Sequence, residues 1–219
     1  MLEIDFEESV NMEEEYPADL KRLPSTLFMN FQKIKGSFDG RRDYISHVGF
    51  PLLSYEFQFE LQAQFKDLGI KTFVEIEAGT GALTTMLNNS EVTGRGYTLD
   101  PDSCEHNWGM KKSPVFEYAR EQGWLEFADI RKLKLQEAPD IIVASWIPYE
   151  GGEEVLEFFD NNPESDYFMV IGEGYGGCTA NDKFHDWLED NFKHIWTSRH
   201  YQSFYAIHDS VEIYRRKIV

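Results

Sequence analysis

Two closely spaced glycines lie in the segment TFVEIEAGTGALTTML, which covers Thr72–Leu87. Residues 72–76 form a β-branched and aromatic run that is typical of a buried strand, and apolar residues at helical spacing begin at Ala82. The turn between them contains Gly79 and Gly81, which let the backbone approach a ligand closely. Because a helix start offers unpaired N–H groups and a partial positive charge, this pattern predicts a nucleotide-like ligand.

An acidic residue follows this turn at the spacing expected for a ribose contact. Gly94–Leu99 predicts a second short strand, and Asp100 comes directly after it, 19 residues beyond Gly81. In a doubly wound sheet, an acid about 20 residues after the glycine turn lies at the tip of the adjacent strand, where it accepts both ribose hydroxyls. A dinucleotide fingerprint would place a third glycine at position 84, which is Thr84, and this argues against a nicotinamide cofactor.

The segment resembles motif I of the class I S-adenosylmethionine-dependent methyltransferases, in which an acidic residue precedes glycines at alternate positions. Glu75 matches the acidic position, and Gly79 and Gly81 match the second and third glycines. Glu77 replaces the first glycine, at a position that in this family approaches the methionine part of the cofactor. The resemblance implies S-adenosyl-L-methionine as cofactor, bound around Glu75, Glu77, Ala78, Gly79 and Gly81.

The same resemblance carries over two residues outside motif I. Asp129 follows the predicted third strand Trp124–Phe127, where a loop in the family contacts adenine, commonly through an acidic side chain. Its alternative role is a helix or turn cap. Tyr44 lies before the first strand, in a segment that often folds back over the cofactor in the family. Its alternative role is that of a core aromatic residue.

The apolar run Ile141–Ala144 is typical of a central parallel strand. In many methyltransferases the segment after this strand lines the site of methyl transfer. Here the segment is Ser145–Tyr149, which only loosely resembles the Asp/Asn-Pro-Pro-aromatic motif of the enzymes that modify amide or base nitrogens. Trp146 is a candidate to stack on a planar group, and Tyr149 is a candidate to orient a substrate, although packing would also explain an aromatic residue at Trp146.

A second glycine-rich turn, Gly172–Thr179, reads GEGYGGCT. The turn is preceded by SWIPY and followed by IHDSVEIYRR. Together these three segments resemble a subgroup of predicted class I methyltransferases that bear a GEGxGGCT segment. We expect the turn to bring Glu173 to the rim of the cleft, where Glu173, His208 or Asp209 could remove a proton from the nucleophile. Thr179 with an acidic residue three positions later predicts a capping box at the start of a helix over 180–191.

Composition limits the classes of partner. The chain has 219 residues, and its net charge of −18 comes from 39 acidic and 21 basic residues, so nucleic acid and anionic lipid would repel it unless it carries a local basic patch. Two cysteines, Cys104 and Cys178, and six histidines show no metal-ligand spacing. No apolar run approaches the ~18 residues of a membrane helix. The acidic N-terminus lacks the features of a secretion signal, and we therefore expect a cytoplasmic protein.

We predict an α/β, Rossmann-like, doubly wound and mostly parallel seven-stranded sheet with an antiparallel last strand and an N-terminal helical cap. Residues 1–22 are predicted as an acidic tail and 70–219 as the methyltransferase-like domain. The cap, 23–69, would contain one helix over 23–34, an irregular stretch over 44–51, and a helix that Ser54 opens.

Three function classes stay open. The first is a methyltransferase that acts on a small molecule or a protein side chain. The second is a degenerate member of the fold that serves as a binding or regulatory subunit, for which Glu77 is the main argument. The third is an oxidoreductase with a nicotinamide cofactor, which Thr84 and the expected terminal strand pair argue against.

Overall fold

The computed structural model describes residues 17–27, 29–100, 113–162 and 164–218. Cys104, His106, the pair Lys111–Lys112 and residues 1–16 of the predicted tail lie outside them. None of the helices among the described residues is long and apolar enough to cross a membrane. The helices are α1 (Met29–Gly36), α2 (Phe38–His47), α3 (Tyr55–Leu68), α4 (Ala82–Asn88), α5 (Pro114–Glu121), α6 (Gly152–Asn161) and α7 (Asp182–Asn191), with a 3-10 turn at Tyr149–Gly151. The strands are β1 (Thr72–Ile76), β2 (Thr93–Thr98), β3 (Leu125–Phe127), β4 (Ile141–Ser145), β5 (Tyr167–Gly172), β6 (Phe192–Thr197) and β7 (Ser210–Arg216).

The strands form one seven-stranded sheet in the order β3-β2-β1-β4-β5-β7-β6. Neighbours among β1 to β5 are parallel, whereas β7 is antiparallel to both β5 and β6. This arrangement confirms the predicted Rossmann-like sheet with an antiparallel last strand. The strand order reverses between β1 and β4, and in open α/β sheets ligands bind beyond the carboxyl ends of the strands at such a point. We call the edge where β1 to β5 end the carboxyl edge.

Helices cover both faces of the sheet because its central strands are apolar on both sides. Every residue of β4 is buried, as the unbroken run in the sequence predicted. Phe73 of β1 belongs to the core on the face covered by α1 to α4, while Ile76 belongs to the core on the face covered by α6 and α7. The first of these cores also contains residues of the N-terminal cap, so the cap and the sheet share one apolar interior.

The predicted single helix over 23–34 is wrong in its start. Helix α1 begins at Met29, and Leu27 is 87% exposed. The chain before α1 is instead tied to the start of α3, because Ser25 Oγ donates to the Glu56 carboxylate and the backbone N–H of Thr26 donates to the same group at 2.9 Å. These contacts join residues about 30 positions apart, and helical periodicity carries no information about them.

The stretch 44–51 was predicted as irregular, but its first four residues form the last turn of α2. Ser37 begins this helix, since its side chain accepts the N–H of Gly40 at 2.9 Å. The prediction that Ser54 opens the next helix is confirmed by its hydroxyl, which accepts the N–H of Phe57.

The predicted capping box at Thr179 is also wrong. Helix α7 begins at Asp182 and its N-cap is Asn181, whose side-chain oxygen accepts the N–H of Phe184 at 3.1 Å. The Thr179 hydroxyl accepts the backbone N–H of Glu173 at 2.9 Å instead. Thr179 therefore closes the glycine-rich turn rather than opening the helix.

Candidate functional site

The turn after β1 has the backbone of a glycine motif even where glycine is missing. Glu77, Gly79 and Gly81 all lie in the left-handed region, with φ of 54°, 53° and 73°. For a residue with a Cβ this conformation costs roughly 1–2 kcal/mol, so Glu77 is strained where the family pattern has glycine. The turn is held by the N–H of Ala78, which donates to Tyr97 in β2 at 2.9 Å. The chain thus keeps the shape of the motif despite the substitution.

Gly81 is needed at its position for space as well as for its backbone angles. A Cβ added there would lie 3.1 Å from Leu125 and 3.3 Å from Ala119. On the other side of the turn, the hydroxyl of buried Thr80 donates to the carbonyl of Val48, which precedes α3. The turn is therefore enclosed between α5, β3 and the N-terminal cap.

Glu75, the acidic residue of the motif, is fully buried and does not reach the carboxyl edge. The Thr84 hydroxyl of α4 donates to its carboxyl group, and burial raises the pKa of Glu75 to about 8. Space for Thr84 comes from Gly96 in β2, where an added Cβ would lie 2.4 Å from the Thr84 oxygen. The hydrogen bond between Thr84 and Glu75 fits because β1 and β2 pair with Glu75 opposite Gly96. The sequence alone does not show this pairing.

The Glu77 side chain lies at the carboxyl edge among other acidic groups. It is half-buried, and burial together with the negative charges of Glu154 and Asp129 raises its pKa to about 7, although Arg131 opposes this effect. Glu154 belongs to α6 and Asp129 to the loop after β3. The Glu77 carboxyl group therefore lies near enough to α6 and to the loop after β3 to be affected by their negative charges.

Asp129, the predicted adenine contact, is engaged in ion pairs. Both of its carboxylate oxygens accept hydrogen bonds of 2.9 Å from Arg131, and Lys132 lies 3.2 Å from one of them. The bonds from Arg131 hold the pKa of Asp129 well below its usual range. The carboxylate also accepts the backbone N–H of Arg131 at 3.1 Å, the turn-cap role that the sequence left open.

Asp100, the predicted ribose contact, lies two residues beyond the end of β2 and is half-buried. Since β2 pairs in parallel with β1, with Tyr97 opposite Ile76, the two strands end at the same edge. The structure therefore brings Asp100 to the same edge as the turn of Glu77 to Gly81.

The segment after β4 places Trp146 and Tyr149 at the carboxyl edge. Trp146 has a left-handed backbone, with φ of 53°, and its N–H donates to the Ile171 carbonyl of β5 at 2.7 Å. Its ring lies beside Phe50, with centroids 5.7 Å apart, and its indole nitrogen is buried without a hydrogen-bond partner. Tyr149 is 59% exposed, so its ring is accessible at this edge.

Glu173, a candidate base, ties the second glycine turn to the loop between β6 and β7. Its carboxylate accepts the backbone N–H of Cys178 at 2.9 Å and that of His208 at 3.2 Å. These hydrogen bonds, led by that from Cys178, lower the pKa of Glu173. The arrangement supports a structural role, and it leaves the His208 side chain exposed at the rim.

Tyr44, the predicted lid residue, lies in the core. It is completely buried, and its hydroxyl donates to the carbonyl of Pro51 at 3.2 Å and accepts the N–H of Leu53 at 2.9 Å. Its ring meets Phe204 edge-on at 5.8 Å. Tyr44 thus fixes the chain before α3, and the structure does not bring it to the carboxyl edge.

Asp209 is a buried acid immediately before β7. Tyr201 donates its hydroxyl to one carboxylate oxygen at 2.6 Å, while the other oxygen has no hydrogen-bond partner. Burial raises the pKa of Asp209, partly opposed by Tyr201, Ser203 and Trp146. The indole of Trp146 is near enough to affect the carboxyl group but does not reach hydrogen-bond geometry. Among the three candidate bases, Asp209 combines burial with an open oxygen.

Most of the predicted site residues follow the ends of neighbouring parallel strands, and the structure brings these to one edge. Glu75 and Tyr44 are the exceptions, because both are enclosed in the core. The residues at or next to the carboxyl edge are Glu77, Ala78, Gly79, Gly81, Asp100, Asp129, Trp146, Tyr149, Glu173 and His208.

No protein-family model matches the sequence, and no curated protein matches it. Several solved structures match its fold. Magnesium protoporphyrin IX methyltransferase (ChlM) from Synechocystis PCC 6803 with bound SAM matches with a TM-score of 0.53 at 13% identity, over 88% of this chain and 92% of that one. The PH0226 protein from Pyrococcus horikoshii OT3 matches with a TM-score of 0.52 at 12% identity, over 83% and 100% of the two chains. TehB from Haemophilus influenzae matches at 10% identity with a TM-score of 0.47, and the alignment spans 62% of that chain. The first two likenesses show that this chain has the Rossmann-like methyltransferase fold.

Proposed function

We propose that this chain is an S-adenosylmethionine-dependent methyltransferase that transfers a methyl group to a small molecule or a protein side chain. The observation that carries the proposal is the turn after β1, which keeps left-handed backbone at positions 77, 79 and 81 although the first is a glutamate. A strained residue persists only where the surrounding structure requires its conformation. A turn that served only to connect a strand to a helix would not require three such positions.

The cofactor would lie across the carboxyl edge at the switch point between β1 and β4. Asp100 would accept the ribose hydroxyls, and the backbone of residues 78–81 would approach the methionine part. The bound cofactor supplies a sulfonium methyl group for in-line displacement. The protein has to position the nucleophile and remove its proton. The oxygens of Asp129 already accept hydrogen bonds from Arg131, so we assign it to ordering the adenine loop.

Glu77 supports a second candidate function. Its carboxyl group lies at the edge where the cofactor would bind, and its neighbours Glu154 and Asp129 add further negative charge. A methionine carboxylate placed there would be repelled whenever Glu77 is ionised. In this alternative the chain is a methyltransferase-fold protein without turnover, acting as a binding or regulatory subunit.

Calorimetric titration with S-adenosylmethionine, S-adenosylhomocysteine and NAD tests these functions. We expect heat from the two sulfur compounds and none from NAD. Binding of NAD alone would overturn the methyltransferase proposal. If none of the three binds, the degenerate alternative is favoured.

The composition supports the proposed class of methyl acceptor, and the second glycine turn supports the proposed subgroup. The net charge of −18 favours a small molecule or protein over nucleic acid as the acceptor. The turn Gly172–Thr179 supports membership of the subgroup of methyltransferases that bear a GEGxGGCT segment.

A further inference from the structure

Three buried polar atoms without hydrogen-bond partners lie near the carboxyl ends of β4 and β5. They are Ser145 Oγ, Trp146 Nε1 and Asp209 Oδ1, and they make up half of the six such side-chain atoms among the described residues. Ser145 pairs with Ile171 and Ile171 pairs with Val211, two residues after Asp209. Because side chains alternate along a strand, this register places Ser145 and Asp209 on the same face of the sheet.

Buried polar groups in folded proteins are nearly always hydrogen-bonded, so a group of unpaired ones at a sheet edge requires an explanation. Asp209 and Trp146 are each fixed by contacts that do not involve the unpaired atoms. Asp209 is only 6% exposed and is held through its second oxygen by Tyr201. Trp146 is held in a left-handed backbone conformation by its bond to Ile171. The open atoms are therefore preorganised for a ligand.

The chemistry of these atoms defines the ligand. Asp209 offers a hydrogen-bond acceptor, Trp146 offers a donor, and the Ser145 hydroxyl can do either. Glu77 and Glu173 add acidic groups at the same edge, in a chain whose net charge is −18, so an anionic ligand is disfavoured. We propose that Asp209, Trp146 and Ser145 form a subsite that binds the methyl acceptor through an amine N–H and a neighbouring oxygen of that compound.

The ring of Phe50 lies beside that of Trp146, with centroids 5.7 Å apart. Phe50 belongs to the segment that precedes α3, and the hydroxyl of Tyr44 fixes the following residues of this segment. The proposal rests on the proposed function for the identity of the ligand as methyl acceptor, but its binding can be measured without turnover.

The test uses the indole N–H signals of the full chain in ¹⁵N-labelled protein. The chain has five tryptophans, and Trp146→Phe identifies the signal of interest. Three probes of matched size are titrated to about 50 mM, because ligands this small bind weakly. They are 3-aminopropan-1-ol, which has both groups, butylamine, which lacks the oxygen, and 3-hydroxypropionate, which replaces the amine by an acid.

We expect 3-aminopropan-1-ol to shift the Trp146 signal saturably, butylamine to bind several-fold more weakly, and 3-hydroxypropionate to leave the signal unchanged. Asp209→Asn should lower the affinity for 3-aminopropan-1-ol at least tenfold. Asp186→Asn is the matched control, because Asp186 also accepts a tyrosine hydroxyl, from Tyr175 at 2.6 Å, but lies at the surface. It should leave the affinity unchanged.

An equal response to the acid, an unchanged response in Asp209→Asn, or no response to any probe would overturn the proposal. If Asp209→Asn does not fold, the comparison of the amino alcohol with the acid on the unmodified chain decides the question. The same titrations are run with and without S-adenosylhomocysteine. Heat from that compound without any probe response refutes the subsite alone, whereas a probe response without such heat refutes the cofactor assignment alone.

Discussion

The hydroxyl of Thr84 in α4 donates a hydrogen bond to the buried carboxyl group of Glu75 in β1. This bond joins the strand before the glycine turn to the helix after it, and the missing side chain of Gly96 leaves the space for it. In this chain the acidic residue of the motif therefore links the strand and the helix on either side of the turn. The carboxyl group does not reach the edge where a cofactor would lie.

Glu75 should make the stability of the protein depend on pH. Its pKa is raised from 4.5 to about 8 in the folded state, so the protonated form is favoured there. Its contribution to stability is fully present below pH 4.5 and is lost as the pH rises through about 8, at up to ~1.4 kcal/mol per pH unit. We expect Glu75→Gln, which cannot ionise and still offers Thr84 an acceptor, to reduce this loss. Urea unfolding at pH values between about 5 and about 8 measures how much unfolding free energy is lost as the pH rises.

The exposed Glu91 provides the control for that experiment, since Glu91→Gln changes a carboxyl group that lies at the surface. It should keep the pH dependence of the unmodified chain. Some dependence should also persist in Glu75→Gln, because the pKa of Glu77 is raised to about 7. A slope that Glu75→Gln leaves unaltered would show that Glu75 ionises in the folded state at an ordinary pH.

Glu77→Gly should stabilise the chain and increase its affinity for S-adenosylhomocysteine. The substitution relieves left-handed strain of roughly 1–2 kcal/mol, less the entropy that glycine adds to the unfolded state, and removes a carboxyl group from the edge. Ala206→Gly is the matched control, because Ala206 has φ of 59° and is exposed. Thermal unfolding and calorimetry check both effects. Equal affinity gains in the two variants would mean that Glu77 does not obstruct the ligand.

Much of the sheet could be predicted because its signals are local. The apolar run of β4 and the strand, turn and helix around Gly79 and Gly81 are visible in a few consecutive residues, and the structure confirms both elements. The antiparallel last strand followed from the resemblance and is confirmed as well. The spacing of Asp100 from the turn placed it correctly at the adjacent strand.

The roles of single polar residues could not be predicted because each partner lies outside the helix, strand or turn that contains the residue. Glu173 accepts the N–H of His208, 35 positions away, and Tyr44 accepts its hydrogen bond from the backbone before α3. An aromatic residue before the first strand has the same sequence signal whether it covers a cofactor or fills the core. The hydrogen bond from Tyr201 to Asp209 likewise joins two residues that lie outside β6 and β7.

Asp100→Ala should weaken binding of S-adenosylhomocysteine by ~1–3 kcal/mol if the carboxylate holds two ribose hydroxyls. Its effect on the unfolding free energy should be smaller than its effect on binding, because Asp100 lies beyond the end of β2. Asp67→Ala, at an exposed position on α3, is the control and should leave binding unchanged. Calorimetry measures the affinities. Unchanged affinity in Asp100→Ala would show that another group contacts the ribose.

Gly96→Ala should destabilise the chain by ~1–3 kcal/mol. The added Cβ would lie 2.4 Å from the Thr84 oxygen and 2.8 Å from the Ala78 Cβ, so the bond to Glu75 and the glycine turn must both shift. Gly36→Ala, where an added Cβ would meet nothing within 4 Å, is the matched control and should be nearly neutral. Urea unfolding compares them, and a neutral Gly96→Ala would contradict the close approach of α4 to β2.

Glu173→Gln should separate a structural role of this residue from a catalytic one. The carboxylate accepts the N–H of Cys178 and of His208, and an amide nitrogen cannot accept either bond, so one must be lost. We expect the unfolding free energy to fall by ~1 kcal/mol and exchange of one of the two amide protons to become faster. Because its pKa is lowered in the folded state, Glu173 stabilises the chain above the unfolded pKa of 4.5, and this contribution disappears as the pH falls below it. The exposed Glu150→Gln should change neither quantity. Protected amides at both positions in Glu173→Gln, together with lost methyl transfer, would instead assign Glu173 as the general base.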